Sequence, residues 1–261
     1  MAFEMIRLEF VSGVAMIVLN RPERLNSAPP QMFDEIAQAL DQLSGARALL
    51  ITGTGRAFCS GADLGARDDA TSSSAGERAY RALTEHYGPT LLKLMKLAIP
   101  VVCAVNGPAA GIGCSIALAG DLVIAGRSAY FLQSFVNIGL VADGGASWML
   151  PRLVGKARAA EMMLLGERIS AEKAADWGLI YKWVEDADLS AEARSLSERL
   201  AGGPTRALGI MRQNFAAALE TDYPTAMLRE AQGQRVAADT ADAAEGKRSF
   251  REKRKPEFKG E

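Results

Sequence analysis

A single acid, Asp143, stands before a run of small residues in 137-NIGLVADGGASWMLPRLVG-155. A carboxyl in apolar surroundings can act as a general acid or base, because burial raises its pKa toward neutrality. Phe135, Val141 and Trp148 are its candidate apolar neighbours. The same residue can instead cap a helix: Asp before Gly-Gly-Ala-Ser suits a helix start and would contribute about 1 kcal/mol. A second feature is a pair of Gly-rich turns, 58-FCSGADL-64 and 107-GPAAGIGCS-115, the latter leading into a helix. Free backbone N–H groups at such turns can hold a developing oxyanion, helped by the positive end of the helix dipole. Small residues let a carbonyl come close to the backbone. Close packing at tight strand-to-helix turns is the other reading of these glycines.

Other chemistries find little support. The turn 107-GPAAGIG-113 is not G-x-G-x-x-G and no acid-ended strand follows at dinucleotide-site spacing; no Walker A pattern occurs. Gly113-Cys114-Ser115-Ile116-Ala117 nearly matches a nucleophile elbow. However, the sole histidine, His86, precedes it, against the order of that hydrolase triad. One histidine and three cysteines without C-x-x-C spacing (Cys59, Cys103, Cys114) predict no metal site and reduced thiols. With 30 basic and 31 acidic side chains there is no global field for nucleic acid or an anionic membrane. There is no N-terminal signal pattern and no apolar run of about 18 residues, so a cytoplasmic protein is expected.

The elements that must position these residues read as α/β. Ile6–Phe10 and Val14–Leu19 predict a hairpin about Ser12-Gly13, Met32–Leu43 a helix, and Ala48–Thr52 a buried strand. The polar stretch 66–78 reads as a loop, and roughly Arg78–Lys96 as a helix. Residues 100–125 read as strand, Gly-rich turn, helix and strand, the alternation of partly parallel sheets. Val154–Leu165 and Ala171–Trp177 read as helices, the second capped by Ser170 and stopped by Gly178; Ile180–Val184 reads as a strand. From Ser190 the pattern is helical, with Pro204 suited to a first turn. The chain thus divides into a core at 1–190 and a helical region at 191–261.

Five fragments, 18-VLNRPERLNS-27, 58-FCSGADL-64, 105-VNGPAAGIGCSIALAGDLVIA-125, 138-IGLVADGGASWMLPRLVGKARAAEMMLLGERISAEKAADWGLI-180 and 250-FREKRKPEF-258, together resemble the crotonase (enoyl-CoA hydratase/isomerase) superfamily. The likeness runs nearly end to end, in order and in register. It implies a spiral of β-β-α turns with two roughly perpendicular sheets, and C-terminal helices that build a homo-trimer or dimer of trimers. It also implies an acyl-CoA thioester substrate, with no cofactor beyond the coenzyme A carried by that substrate. The family's oxyanion hole matches the N–H groups of Ala62 and Ile112, in the two turns already singled out. One such donor is worth about 3–4 kcal/mol of barrier.

The two glutamates of the family's hydratases match Ser115 and Phe135 here, neither of which can activate water at neutral pH. Asp143 falls where the family's double-bond isomerases carry their single acid. The Gly-Leu-x-x-Asp-x-Gly-x-Ser-Trp-x-Leu-Pro-Arg run is similar to the ring-1,2-epoxyphenylacetyl-CoA isomerase branch. His86-Tyr87-Gly88-Pro89 resembles a Tyr-x-Pro segment of that branch, where Asn is more usual than Gly; Ala142 stands where proline is usual. The expected activity is an isomerase that shifts a double bond, or isomerises a ring-epoxide thioester, through an enolate with Asp143 as acid and base. The alternatives are a hydratase with unusual acid and base groups and a non-catalytic acyl-CoA-binding member. The resemblance places Arg24, Ala28, Ser60, Asp63, Leu64, Tyr87, Gly111, Ser115 and Phe135 about the substrate. It places Phe250, Lys253 and Phe258 over the adenine end of CoA. His86 is expected at a pocket wall or surface, Cys114 as core filler, and Asp121 in a structural role.

Overall fold

A computed structural model describes residues 3–63 and 74–261 of the chain. In chain order the strands are β1 (Ile6–Val11), β2 (Val14–Leu19), β3 (Ala48–Gly53), β4 (Val101–Val105), β5 (Pro108–Ala110), β6 (Leu122–Gly126), β7 (Tyr130–Leu132), β8 (Ile169–Ser170) and β9 (Lys182–Val184). The helices are α1 (Pro30–Asp41), α2 (Ala75–Arg81), α3 (Gly88–Met95), α4 (Ile112–Leu118), α5 (Ala146–Ala160), α6 (Ala171–Asp176), α7 (Leu189–Ala201), α8 (Thr205–Ala218), α9 (Tyr223–Ala238) and α10 (Ala241–Glu252).

The large sheet has the order β1-β2-β3-β4-β6-β9. Its first pair is the expected antiparallel hairpin, and every later pair is parallel. All five residues of β4, Val-Val-Cys-Ala-Val, are buried, as a central parallel strand covered on both faces requires. On one face lies the main core, which takes the apolar stripe of α1 (Met32, Phe33, Ile36, Leu40) and α4. On the other face α7, which crosses the 190/191 boundary, packs Leu189, Ala193 and Ala201 against Leu50, Val102 and Ile124.

Several elements depart from the sequence reading. The Gly-rich turn at 107–113 contains a strand, β5, which pairs with β7 in a second sheet of order β5-β7-β8. Three-residue strands are too short to show an alternation, so pattern alone does not reveal them. The helix expected from Arg78 begins at Ala75, inside the expected loop, with the Ser74 side chain accepting from Glu77 N–H; residues 66–73 of that loop lie outside the described ones. Between α2 and α3 the chain makes a π-helical stretch, Ala82–Tyr87. The helix expected from Val154 starts instead at Ala146, carries Pro151, and is broken at Gly155, where φ is 78°. Ser170 does cap α6, accepting from Lys173 N–H at 3.2 Å, and Gly178 adopts φ 75°.

Candidate active site

The first Gly-rich turn is held by residues well before it in sequence. Asn26 is fully buried at φ 54°, a conformation that Asn tolerates better than most side chains. Its amide donates to the carbonyls of Thr54 and Ala57 (3.0 and 2.8 Å), and its oxygen accepts from Arg21 N–H. Arg21 in turn donates to Asp63 Oδ2 at 2.9 Å and to the Ser27 carbonyl. Asp63 therefore orients the turn, and Asn26 and Arg21 are positioning residues that the sequence reading did not assign. The signal was the Leu-Asn-Ser string, which cannot by itself reveal partners about thirty residues away. Ser60 N–H donates to the Leu25 carbonyl, and Ala28 N–H to the Gly61 carbonyl.

The two turns lie side by side. Cys59 N–H donates to the Pro108 carbonyl and Ala110 N–H returns a bond to the Cys59 carbonyl, at 3.0 and 2.9 Å. Gly61 (φ 108°) and Gly111 (φ 52°) face each other where the turns touch. A Cβ on Gly111 would stand 3.8 Å from Gly61 Cα and 3.5 Å from the Phe135 ring. Ile112 is the first residue of α4, where an N–H has no carbonyl within the helix to bond. Ala62 pairs with Ala28 through an isolated parallel bridge, and among the described residues its own N–H has no acceptor. Neither N–H has a backbone acceptor among the described residues, and two such groups on adjoining turns are what an oxyanion hole needs.

Asp143 packs on this arrangement. Its side chain does not cap α5. The cap position is Gly145 (φ 79°), with no side-chain bond, and it is the main-chain carbonyl of Asp143 that accepts from Ala146 N–H at 3.1 Å. The capping role therefore falls to the backbone, because two consecutive left-handed glycines, Gly144 and Gly145, carry the chain into the helix. Ser115 Oγ donates to the same Asp143 carbonyl at 3.3 Å. A methyl on Gly144 would run into the Ile112 side chain and come within 2.8 Å of Ser115 Oγ. The segment carrying Asp143 thus sits directly on the start of α4.

The carboxyl is left free for chemistry. Its Oδ1 is buried and, among the described residues, has no hydrogen-bond partner. Burial pushes the group from 3.8 up to about 6. It opens on a cavity of about 450 Å³, lined in part by Leu83, Leu91, Phe135 and Val141, within the usual range for a small-molecule site. Trp148, an expected neighbour, lies in the first turn of α5 and lines the adjoining cavity instead. Tyr87, at the end of the π-helical stretch, is buried against Phe33 (ring centroids 4.4 Å apart) and donates to the Ala28 carbonyl at 3.0 Å. Its phenol is raised above the ordinary range by burial first and then by the charges of Asp143, Cys59 and Asp63, so it stays a donor.

The other expected residues lie elsewhere. His86 pairs at the surface with Asp34, Nδ1 to Oδ1 at 2.7 Å. Cys114 is fully buried in the core, its thiol pushed up to about 12 by burial. Asp121 accepts from Val101 N–H and pairs with Arg212. The Arg24 side chain is exposed, near the first turn, and its carbonyl accepts from Ser60 Oγ. Phe250 is 84% exposed and Lys253 (φ 54°) ends α10; neither lines the Asp143 cavity. Phe258 packs near Gly246, and its carbonyl accepts from Arg47. This C-terminal group is not brought to the cavity within one chain. Leu64 lies outside the described residues. Among the described residues no cluster of three His, Cys, Asp or Glu side chains could hold a metal ion, and no helix is long and apolar enough to cross a membrane.

Residues 9–261 match the family model for enoyl-CoA hydratase/isomerase. The chain is 42% identical over 260 residues to 1,2-epoxyphenylacetyl-CoA isomerase of Escherichia coli K12, covering 98% of this chain and 99% of that one. It is 43% identical over its whole length, and that of the relative, to a Rhodobacter capsulatus protein named "Probable enoyl-CoA hydratase". The crystal structure of an enoyl-CoA hydratase from Bacillus anthracis superimposes with a TM-score of 0.92 at 30% identity, over 99% of this chain and 100% of that one. Relatives at similar identity thus carry both isomerase and hydratase names. Fold, site and full-length likeness agree: the chain belongs to the enoyl-CoA hydratase/isomerase family, with the crotonase fold.

Proposed function

We propose that the protein is an acyl-CoA isomerase in which Asp143 moves a proton along an enolate held by the Ala62 and Ile112 N–H groups. The observation that carries this reading is the Asp143 carboxyl: buried, with no hydrogen-bond partner at Oδ1 among the described residues, and raised to about 6 at the edge of an apolar cavity. In the double-bond shift, the carboxylate takes a proton from the carbon beside the thioester. The electron pair moves toward the thioester oxygen, which the two N–H groups stabilise. The same carboxyl then returns the proton two carbons further along, so one acid serves both steps. A ring-epoxide thioester suits the same enolate-stabilising site, and the likeness to the E. coli isomerase supports that substrate class.

Water addition to an enoyl-CoA is the second reading, favoured by the equally similar hydratase-named relative. Ser115 and Phe135 oppose it. Ser115 is fully buried and spends its hydroxyl on the Asp143 carbonyl, and Phe135 is apolar. An acyl-CoA-binding role without turnover is the third reading. Arg24, Ala28, Ser60, Leu64 and Tyr87 are proposed to shape the substrate site, with Phe250, Lys253 and Phe258 closing over CoA. Assembly as a trimer or dimer of trimers is part of the proposal. Support comes from exposed apolar side chains on α8 and α9, including Met211, Phe215, Met227 and Leu228, each more than half exposed. Three buried free thiols suit a cytoplasmic setting.

The test is Asp143→Asn assayed for conversion of 3-enoyl-CoA to 2-enoyl-CoA. The rate should fall by roughly 10²–10⁴ while acyl-CoA binding persists. Unchanged isomerisation by that variant overturns the assignment. Hydration of crotonyl-CoA at ordinary enzyme rates by the unmodified protein supports the hydratase reading. Binding without turnover across unsaturated thioesters supports the third.

A further inference from the structure

The Asp143 cavity has a neighbour. A second cavity of about 230 Å³ lies between the end of α3, the α4–β6 corner, α5 and α8. Met95 lines both. Met149 lines the second, and its Cε lies 3.9 Å from where a side chain on Gly145 would begin; Gly145 lines the first. The partition between the two spaces is therefore two methionines. Unbranched thioethers are the side chains that yield most easily to a new neighbour. The walls beyond are mostly apolar: Leu118, Trp148, Leu153, Phe215 and Leu219.

The charged pair at the base of the second cavity is already committed. Arg212 Nε donates to both Asp121 oxygens at 2.8 and 2.7 Å, and its other nitrogens donate to the Leu94, Met95 and Leu97 carbonyls. The pair therefore fixes the end of α3, and with it the backbone of Met95; the remaining charged lining residue, Arg152, lies over the Trp148 ring and donates to the Trp148 carbonyl, and the rest of the wall is mostly hydrocarbon. Its volume is below the roughly 300–1,000 Å³ of an independent small-molecule site. It is better matched to an annex of the larger space.

We infer that the second cavity receives the far methylenes of a long acyl chain, with Met95 and Met149 as a movable partition that sets how long a chain the Asp143 cavity accepts. This rests on the acyl-CoA reading above and adds the chain-length selection of the same site. Each methylene that passes the partition gains roughly fourfold in affinity, the fold-change equivalent to about 0.8 kcal/mol.

The experiment is calorimetric binding of saturated acyl-CoAs, butyryl through dodecanoyl, to the full-length protein and two variants. Ala216→Trp fills the second cavity from α8, away from Asp143. It should leave butyryl-CoA affinity within twofold and weaken dodecanoyl-CoA at least tenfold. Met95→Ala removes the partition and should raise the dodecanoyl-to-butyryl affinity ratio. A ratio unchanged by both variants, with butyryl-CoA still bound, overturns this inference alone. Absence of binding at every chain length by the unmodified protein overturns the acyl-CoA reading and this inference with it.

Discussion

Replacing Asp143 by Asn should stabilise the folded chain at alkaline pH while removing its activity. Burial alone holds the carboxyl at about 6 instead of 3.8. At 1.36 kcal/mol per unit, this shift costs the folded state at most about 3 kcal/mol. Asp143 is only partly buried as a residue, so solvent screening lowers this to about 1–2 kcal/mol. The sign follows from proton binding. Between 3.8 and about 6 the folded chain holds a proton that the unfolded chain has released, so stability falls as pH rises through this window. Below it both forms are protonated and nothing is lost; above it the cost is complete. Asn has nearly the shape of the protonated acid and no titration. Urea denaturation of both proteins at fixed concentration, at about pH 4.5 and about pH 8, should give equal slopes and a stability gain for Asn that is about 1.5- to 2-fold larger at the higher pH. An Asn variant that is less stable at both pH values, or a gain that does not grow with pH, refutes the claim that the carboxyl is desolvated and unpartnered.

Three further outcomes follow from the same geometry. The kcat/KM for isomerisation should be lost as pH falls through about 6, because the free enzyme must present a carboxylate to take the first proton; a pH–rate profile flat from about 5 to 8 contradicts this. Gly144→Ala places a methyl against Ile112 and Ser115 at φ 59°, so it should cost about 1–3 kcal/mol in denaturation and displace Asp143, lowering kcat. Arg212→Met removes the guanidinium that pairs with Asp121 and donates to three carbonyls at the end of α3, which should cost about 3–5 kcal/mol, read as a lower midpoint in denaturant.

Much of the site was legible in the chain because its parts are local. Glycines at 61 and 111 mark turns where side chains are excluded, and both adopt positive φ. The helix after the second turn offers its first N–H groups by construction. The rest depends on partners far apart in sequence. Asn26 holds the first turn through Thr54 and Ala57, and Arg21 holds Asp63 across 42 positions. Trp148 was expected beside Asp143 on proximity along the chain, but the first turn of α5 carries it into the next cavity. The short strand β5 was hidden inside a Gly-rich string because three residues carry no periodicity.

The sequence by itself determined the residue types: two turns able to offer free N–H groups, one acid before a small-residue run, and no glutamate at the two hydratase positions. It left Asp143 divided between capping a helix and moving a proton, since an Asp before Gly-Gly serves either purpose. Only the tertiary structure decided against the cap. Gly144 lets the segment sit on Ile112 and Ser115, Ser115 binds the Asp143 carbonyl, and the backbone caps α5. The carboxyl is thereby turned away from the helix N–H groups and into apolar surroundings, where its charge costs energy and its proton becomes available near neutral pH.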